Sequence, residues 1–227
     1  MQLQGQVKGA LLLTGLLLGS PLMANQAGDF IVRAGVANVN PDVSSERFDS
    51  ALPAVGGLGV DVDDDTQLGL TFTYMVTDSI GVELLGATPF THDIILDTGG
   101  EGLVVGETSQ LPPTVLAQFY APKIGPVRPY VGVGLNYTLF FEDSIDDAVV
   151  SPLLGGADAD VKLSNSMGLA WEVGADIALN DKWLLNLSAW QIDIDTEARL
   201  YVNDARVDKI DVELDPWAYM VGVGYRF

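Results

Sequence analysis

The chain has 227 residues, 48% of them hydrophobic, a formal net charge of −20 and no cysteine. That acidity argues against a nucleic-acid partner, since phosphate binding is driven by clustered Lys and Arg. Beyond the first two dozen residues no run of 18 apolar residues occurs, which excludes a helical membrane protein.

The N-terminus carries one cation, Lys8, then the apolar run from Ala10 to Gly19 and the segment Ser20-Pro21-Leu22-Met23-Ala24. This order of cation, short apolar core and small residue is that of a cleaved secretory signal, and the apolar run is about half the length of a spanning helix. Cleavage is expected after Ala24, with Ala27 as the alternative, leaving residues 25–227 as one domain. Removing Lys8 leaves 10 basic against 31 acidic side chains, a net charge of −21. The absence of cysteine agrees with export but does not require it.

Period-2 alternation runs through the mature chain. In the first segment Phe30, Val32, Ala34 and Val36 oppose Arg33 and Gly35. In the second Leu68, Leu70, Phe72 and Tyr74 oppose Gln67, Gly69, Thr71 and Thr73. Val82 and Leu84 oppose Glu83 and Leu85 in the third. In the fourth Val115, Ala117 and Phe119 oppose Thr114, Leu116, Gln118 and Tyr120. The fifth sets Val131, Val133, Leu135, Tyr137 and Leu139 against Gly132, Gly134, Asn136 and Thr138. The sixth sets Leu169, Trp171, Val173, Ala175 and Ile177 against Gly168, Ala170, Glu172, Gly174 and Asp176. In the seventh Leu185, Leu187 and Ala189 oppose Asn186, Ser188 and Trp190. The eighth carries Trp217, Tyr219, Val221, Val223, Tyr225 and Phe227 opposite Ala218, Met220, Gly222, Gly224 and Arg226.

Eight antiparallel strands with a continuous apolar stripe fit either a soluble sandwich or a membrane barrel, and alternation alone does not say which face meets lipid. Two features favour the barrel. The polar face is rich in glycine, as a crowded lumen requires, and connections alternate between tight turns (Asp78-Ser79, Ile124–Pro126, Asn180–Lys182) and long loops (42–63, 93–109, 142–163), with a shorter fourth near 203–206. Short turns at one end and long loops at the other are the outer-membrane layout. The fold expected is therefore all-β, an eight-stranded antiparallel transmembrane β-barrel in the outer membrane.

Particular stretches also resemble a known family. Asn38–Pro41, Asp65–Met75, Ile80–Phe90, Leu111–Thr114, Arg128–Gly132, Asn136–Thr138, Asp193–Thr196, Leu214–Trp217 and the closing Gly224–Phe227 are similar to the OmpW (OmpW/AlkL-like) family of outer-membrane proteins over nearly the whole mature chain. The resemblance implies an eight-stranded barrel with a narrow hydrophobic lumen that passes small apolar molecules inward. The loops that would set the substrate differ here.

An eight-stranded barrel is just wide enough to be filled by its own side chains, so a general aqueous pore is not expected. By parity Arg33, Glu83, Glu172 and Arg226 point inward, with Asp176 and Arg128 as further members, and charges held in a low-dielectric lumen must pair. They are expected to form a plug in the periplasmic half. An apolar set, Leu85, Leu116, Tyr120, Trp190 and Ile192, is expected above it as a ligand-binding lumen; Trp190 either floors that cavity or simply fills space. Pro89, Pro112 and Pro113 lack the N–H a strand ladder uses. They either open a lateral gate between the third and fourth strands or end those strands at the rim.

The acidic run Asp61, Asp63, Asp64, Asp65, with Glu142, Asp143, Asp146 and Asp147, is read as a solvated rim or as carboxylates bridging through divalent cations to lipopolysaccharide. Its spacing is not that of an EF-hand. With His92 as the only histidine and no Gly-x-Ser-x-Gly elbow, no catalytic constellation, metal centre or cofactor is expected. The partners anticipated are membrane lipid, lipopolysaccharide and small hydrophobic solutes. The alternative role is a surface receptor or adhesin acting through its acidic loops.

Overall fold

The computed structural model describes residues 25–49 and 55–227; the expected signal peptide, residues 1–24, lies outside them. Eight strands hydrogen-bond into a closed antiparallel ring: β1 (Phe30–Asn40), β4 (Asp65–Met75), β5 (Ile80–Ala87), β8 (Thr114–Tyr120), β9 (Val127–Ile145), β11 (Ser166–Ala178), β12 (Trp183–Ile192) and β15 (Trp217–Arg226). The β9–β11 pairing, from Ser166↔Thr138 to Ile177↔Val127, completes the circle.

The other seven strands among the described residues lie outside this ring. β3 (Gly59–Val62), β6 (Phe90–Asp97) and β7 (Leu103–Leu111) pair in series with the upper half of β9. β2 (Ser44–Ser45), β10 (Ala159–Leu163), β13 (Asp195–Val202) and β14 (Ala205–Glu213) form a four-stranded sheet opposite. Much of what reads as long loops is therefore ordered sheet. The two walls are joined by Ser45, whose hydroxyl accepts from Val60 N–H and donates to Val60 C=O, and by Asp143, which accepts from Thr108 Oγ1 and Leu163 N–H. A short helix, α1 (Asp147–Leu153), capped by the Asp146 carboxylate, turns Val150 into the space between them.

The apolar stripe of the ring faces outward. Val36, Leu68, Phe72, Tyr74, Leu84, Phe119, Leu135, Trp171 and Val221 are exposed, while Arg33, Thr71, Thr73, Glu83, Gln118, Asn136, Glu172 and Asn186 are buried. A water-soluble protein would reverse this, because burying so many polar groups while exposing so much apolar surface is favourable only where lipid is the outer solvent. Aromatic rings mark the band's edges: Trp217 stacks with Tyr219 at one end, and Trp183, Tyr225 and Phe227 pack together at the other. From Trp217 to Phe227 is about 34 Å along the strand, and a tilt of about 40° reduces that to about 26 Å of height, close to the apolar band of an outer-membrane barrel.

The ring curves tightly where β1 meets β15. Gly35 stands opposite Gly222, and a Cβ on Gly35 would lie 2.3 Å from the Val221 carbonyl oxygen. No side chain fits there. Gly35→Val should destabilise the barrel by about 1–3 kcal/mol through overpacking, read from urea unfolding in lipid vesicles followed by tryptophan fluorescence; an unchanged midpoint would contradict the close approach.

Candidate functional site

The lumen is layered. At the periplasmic end Ile31, Met75 and Leu184 pack beneath the rings of Tyr120 and Tyr130. Above them lies a polar layer centred on the fully buried Arg33. Its Nε and Nη2 donate to the two oxygens of Asp176 at 3.0 and 2.7 Å, and its Nη1 donates to Glu83 Oε2 at 3.1 Å and Thr73 Oγ1 at 2.7 Å. The remaining Nη2 proton goes to Tyr120 Oη at 2.9 Å, so every N–H of the guanidinium has an acceptor. Its face lies 5.4 Å from the centre of the Tyr130 ring.

The network extends around the wall. Tyr120 Oη donates to Gln118 Oε1, Gln118 Nε2 donates to Glu172 Oε2, and Asn186 donates to both Asp176 and Tyr130 Oη. Arg33, Glu83 and Glu172 thus meet as the strand alternation predicts, with Asp176 as the bidentate partner. Arg226 does not join them. It sits at the periplasmic turns, donating to the Asp181 carbonyl and reaching Asn25, because its position at the end of β15 is below the plugged layer. Arg128 donates to the Asp78 carbonyl and stacks over Tyr120.

Leu85, Leu116, Trp190 and Ile192 form the next layer, packed with Ala170, Ala218 and Met220. Tyr120 belongs instead to the polar layer, where its hydroxyl is tied to Arg33. None of the five residues read from the sequence as cavity lining borders the cavity itself. The sequence places the lining one layer too low: parity tells which side chains point inward but not at which height they meet and fill the space.

The cavity lies above, between the two upper sheets, with a volume of about 80 Å³. Its lining is almost wholly apolar, including Val62, Ile94, Val105, Phe140, Val161 and Leu200, and its polar members include His92, Thr108 and Gln110. His92 and Gln110 were missed as site residues. Phe90, His92, Ile94 and Leu96 alternate inward without a break, a signal that could have found His92, whereas register shifts at Val105 and Thr108 break the parity of β7 and disguise the strand carrying Gln110 as a loop.

Among the places where ladder pairing breaks between barrel and upper sheets, one carries three prolines. Pairing of β5 with β8 ends at Leu85↔Thr114, and pairing of β6 with β7 begins at Phe90↔Gln110. The unpaired residues include Pro89 on one side and Pro112-Pro113 on the other, so the three prolines flank the same break. On its far edge Pro113 remains bonded to β9, its carbonyl accepting from Tyr137 N–H. Tyr137 is an exposed aromatic, which sets the break at the outer edge of the apolar band.

The acidic run is bound up in backbone contacts. Asp63 accepts from Asp93 N–H, and Asp65 from Thr66 and Thr91 N–H, fastening the top of β4 to β6 where ladder pairing has ended. Burial raises the Asp63 carboxyl, an effect the Asp93 N–H partly offsets. At the opposite rim burial and the neighbouring carboxylates Asp193, Asp215 and Asp211 raise Asp195.

A closed ring with lipid-facing aromatics, a sealed lower lumen and tall upper walls defines an outer-membrane β-barrel of the channel-forming kind. The profile of the OmpW family matches residues 26–227, and the chain belongs to that family. It is 44% identical to outer membrane protein W of Vibrio cholerae, covering 93% of this chain and 94% of that one. The crystal structure of OprG from Pseudomonas aeruginosa superposes with a TM-score of 0.78 at 43% identity, covering 90% of this chain and 98% of that one. A third relative, the dibenzothiophene metabolism operon protein PahQ of Pseudomonas aeruginosa, is 29% identical over 92% of this chain and 93% of its own length. The protein is accordingly a resident of the bacterial outer membrane.

Removing one partner of a buried ion pair strands the others. Arg33→Met should cost about 3–5 kcal/mol in the same unfolding measurement, and adding Glu83→Gln and Asp176→Asn should restore most of the loss. A single substitution without effect would show that the layer does not hold the wall together.

Proposed function

We propose that this barrel is a passive route for small hydrophobic molecules from the cell surface into the outer membrane. The observation that carries the reading is the juxtaposition of an apolar cavity, a filled lumen beneath it and a wall interruption beside it. A solute entering between the upper sheets meets apolar lining, gains the burial free energy of its surface, about 25 cal/mol per Å², and finds the straight path blocked by Trp190, Leu116 and the Arg33 layer. The remaining exit is sideways, past Pro89, Pro112 and Pro113, into hydrocarbon. Three missing N–H groups keep that seam from zipping shut. The name of PahQ, which places that relative in a dibenzothiophene metabolism operon, agrees with an apolar cargo.

No step in this route requires a catalytic group, metal or cofactor. The outer surface would meet membrane lipid and, in the outer leaflet, lipopolysaccharide. The receptor or adhesin reading depends on acidic loops free to bind, and it is weakened because Asp63, Asp65, Asp143 and Asp146 hold backbone amides instead. The double substitution Pro112→Val/Pro113→Val should slow transfer of an apolar tracer into protein-containing vesicles several-fold while the barrel stays folded. Unchanged transfer in a folded variant would remove the lateral exit.

A further inference from the structure

The polar side chains of the cavity lining are His92, Thr108 and Gln110 on one wall and Thr196 on the other, and the first wall carries a chemically asymmetric pair. His92 is 1% exposed, and its Nδ1 lies 2.8 Å from the backbone carbonyl oxygen of Asp63. A carbonyl only accepts, so Nδ1 carries the proton. A neutral imidazole that donates at Nδ1 accepts at Nε2. Nε2 lies 2.9 Å from Gln110 Nε2, and the amide nitrogen, a donor only, satisfies it. The relay from Asp63 through His92 therefore fixes which way round the Gln110 amide sits.

The consequence falls on the other half of that amide. Gln110 is 2% exposed and lines the cavity, and its Oε1 has no hydrogen-bond partner in the protein. A buried acceptor left unpaired carries a desolvation cost that a donor from a ligand would relieve. Phe90 and Gln110 are the pair that ends the β6–β7 ladder beside the wall interruption, so a molecule leaving the cavity for the seam passes beside Gln110.

We propose that Gln110 Oε1 is a specificity-determining acceptor, and that the cavity takes apolar molecules bearing one hydrogen-bond donor, such as a hydroxyl on an aromatic or aliphatic body, in preference to bare hydrocarbons. This deepens the uptake reading and rests on it. The apolar walls supply most of the affinity, whereas the amide orients the donor end toward the seam. His92 is a positioning residue that holds the acceptor in place.

The test compares 2-naphthol, 2-methoxynaphthalene and naphthalene, three probes of similar shape of which only the first is a donor. Binding is measured with the full barrel in lipid nanodiscs and corrected for partition into empty discs. Wild type should bind 2-naphthol about three- to tenfold more tightly than either other probe, and Gln110→Leu should bring the three to equal affinity. In the unmodified protein, the side-chain carbonyl carbon resonance of Gln110 should shift on adding 2-naphthol and not on adding naphthalene, a reading that does not depend on a variant folding. Equal binding of all three to wild type, or an unchanged preference in Gln110→Leu, would overturn the assignment while leaving apolar uptake intact. Failure of every probe to bind would overturn the uptake reading and this inference together.

Discussion

Everything in this molecule follows from how an eight-stranded ring deals with its own interior. The ring is too narrow for bulk water and too polar inside for hydrocarbon, so each inward group must find a partner across the lumen. Arg33 is the solution. Its five N–H groups reach β4, β5, β8 and β11, and one side chain thereby cross-links half the circumference of the wall. Asp176 receives it in the bidentate geometry that only a guanidinium supplies. A lysine at position 33 would present three donors from a point and could not satisfy the same set.

That solution fills the middle of the barrel and leaves the apolar cavity above it. The upper sheets then enclose a cavity rather than a pore. They do so because β9 continues past the membrane edge and every other ring strand is followed (β1, β5, β12) or preceded (β4, β8, β11, β15) in the chain by a strand of the upper walls. The walls need tying where the ladder breaks, and short acidic side chains do this by accepting from backbone N–H groups. Part of the negative charge of the rim is in this sense architectural: it stands in for ladder hydrogen bonds at β6 and β10 and caps the short helix.

Much of this was legible in the residues and some was not. Alternation from Phe30 to Val36 and from Trp217 to Phe227 identifies strands and faces directly, since side chains on a strand have no third choice of direction. Height and partnership are another matter. Arg33 and Asp176 are 143 positions apart, and nothing in the chain says that they share a layer until closure of the ring brings them together. The same gap in information put Leu85, Leu116, Trp190 and Ile192 into a cavity whose lining lies above them. Tyr120 reads as a lining aromatic but is held by its hydroxyl in the polar layer, and Arg226 reads as inward but lies below that layer. The strand carrying Gln110 escaped because its bulges shift the alternation by one residue, and a one-residue shift looks like a loop, while the alternation that carries His92 is intact from Phe90 to Leu96.

The central claim is that apolar solute occupies the upper cavity and turns aside before the Arg33 layer. It is tested most directly by photo-crosslinking an apolar diazirine tracer added from the outer side and mapping the adducts by mass spectrometry. The account predicts labelling at cavity residues such as Ile94, Val105 and Phe140 and along the seam near Pro89 and Pro112, with none beneath Arg33. Adducts on Ile31 or Leu184 would show a path straight through the barrel and contradict it.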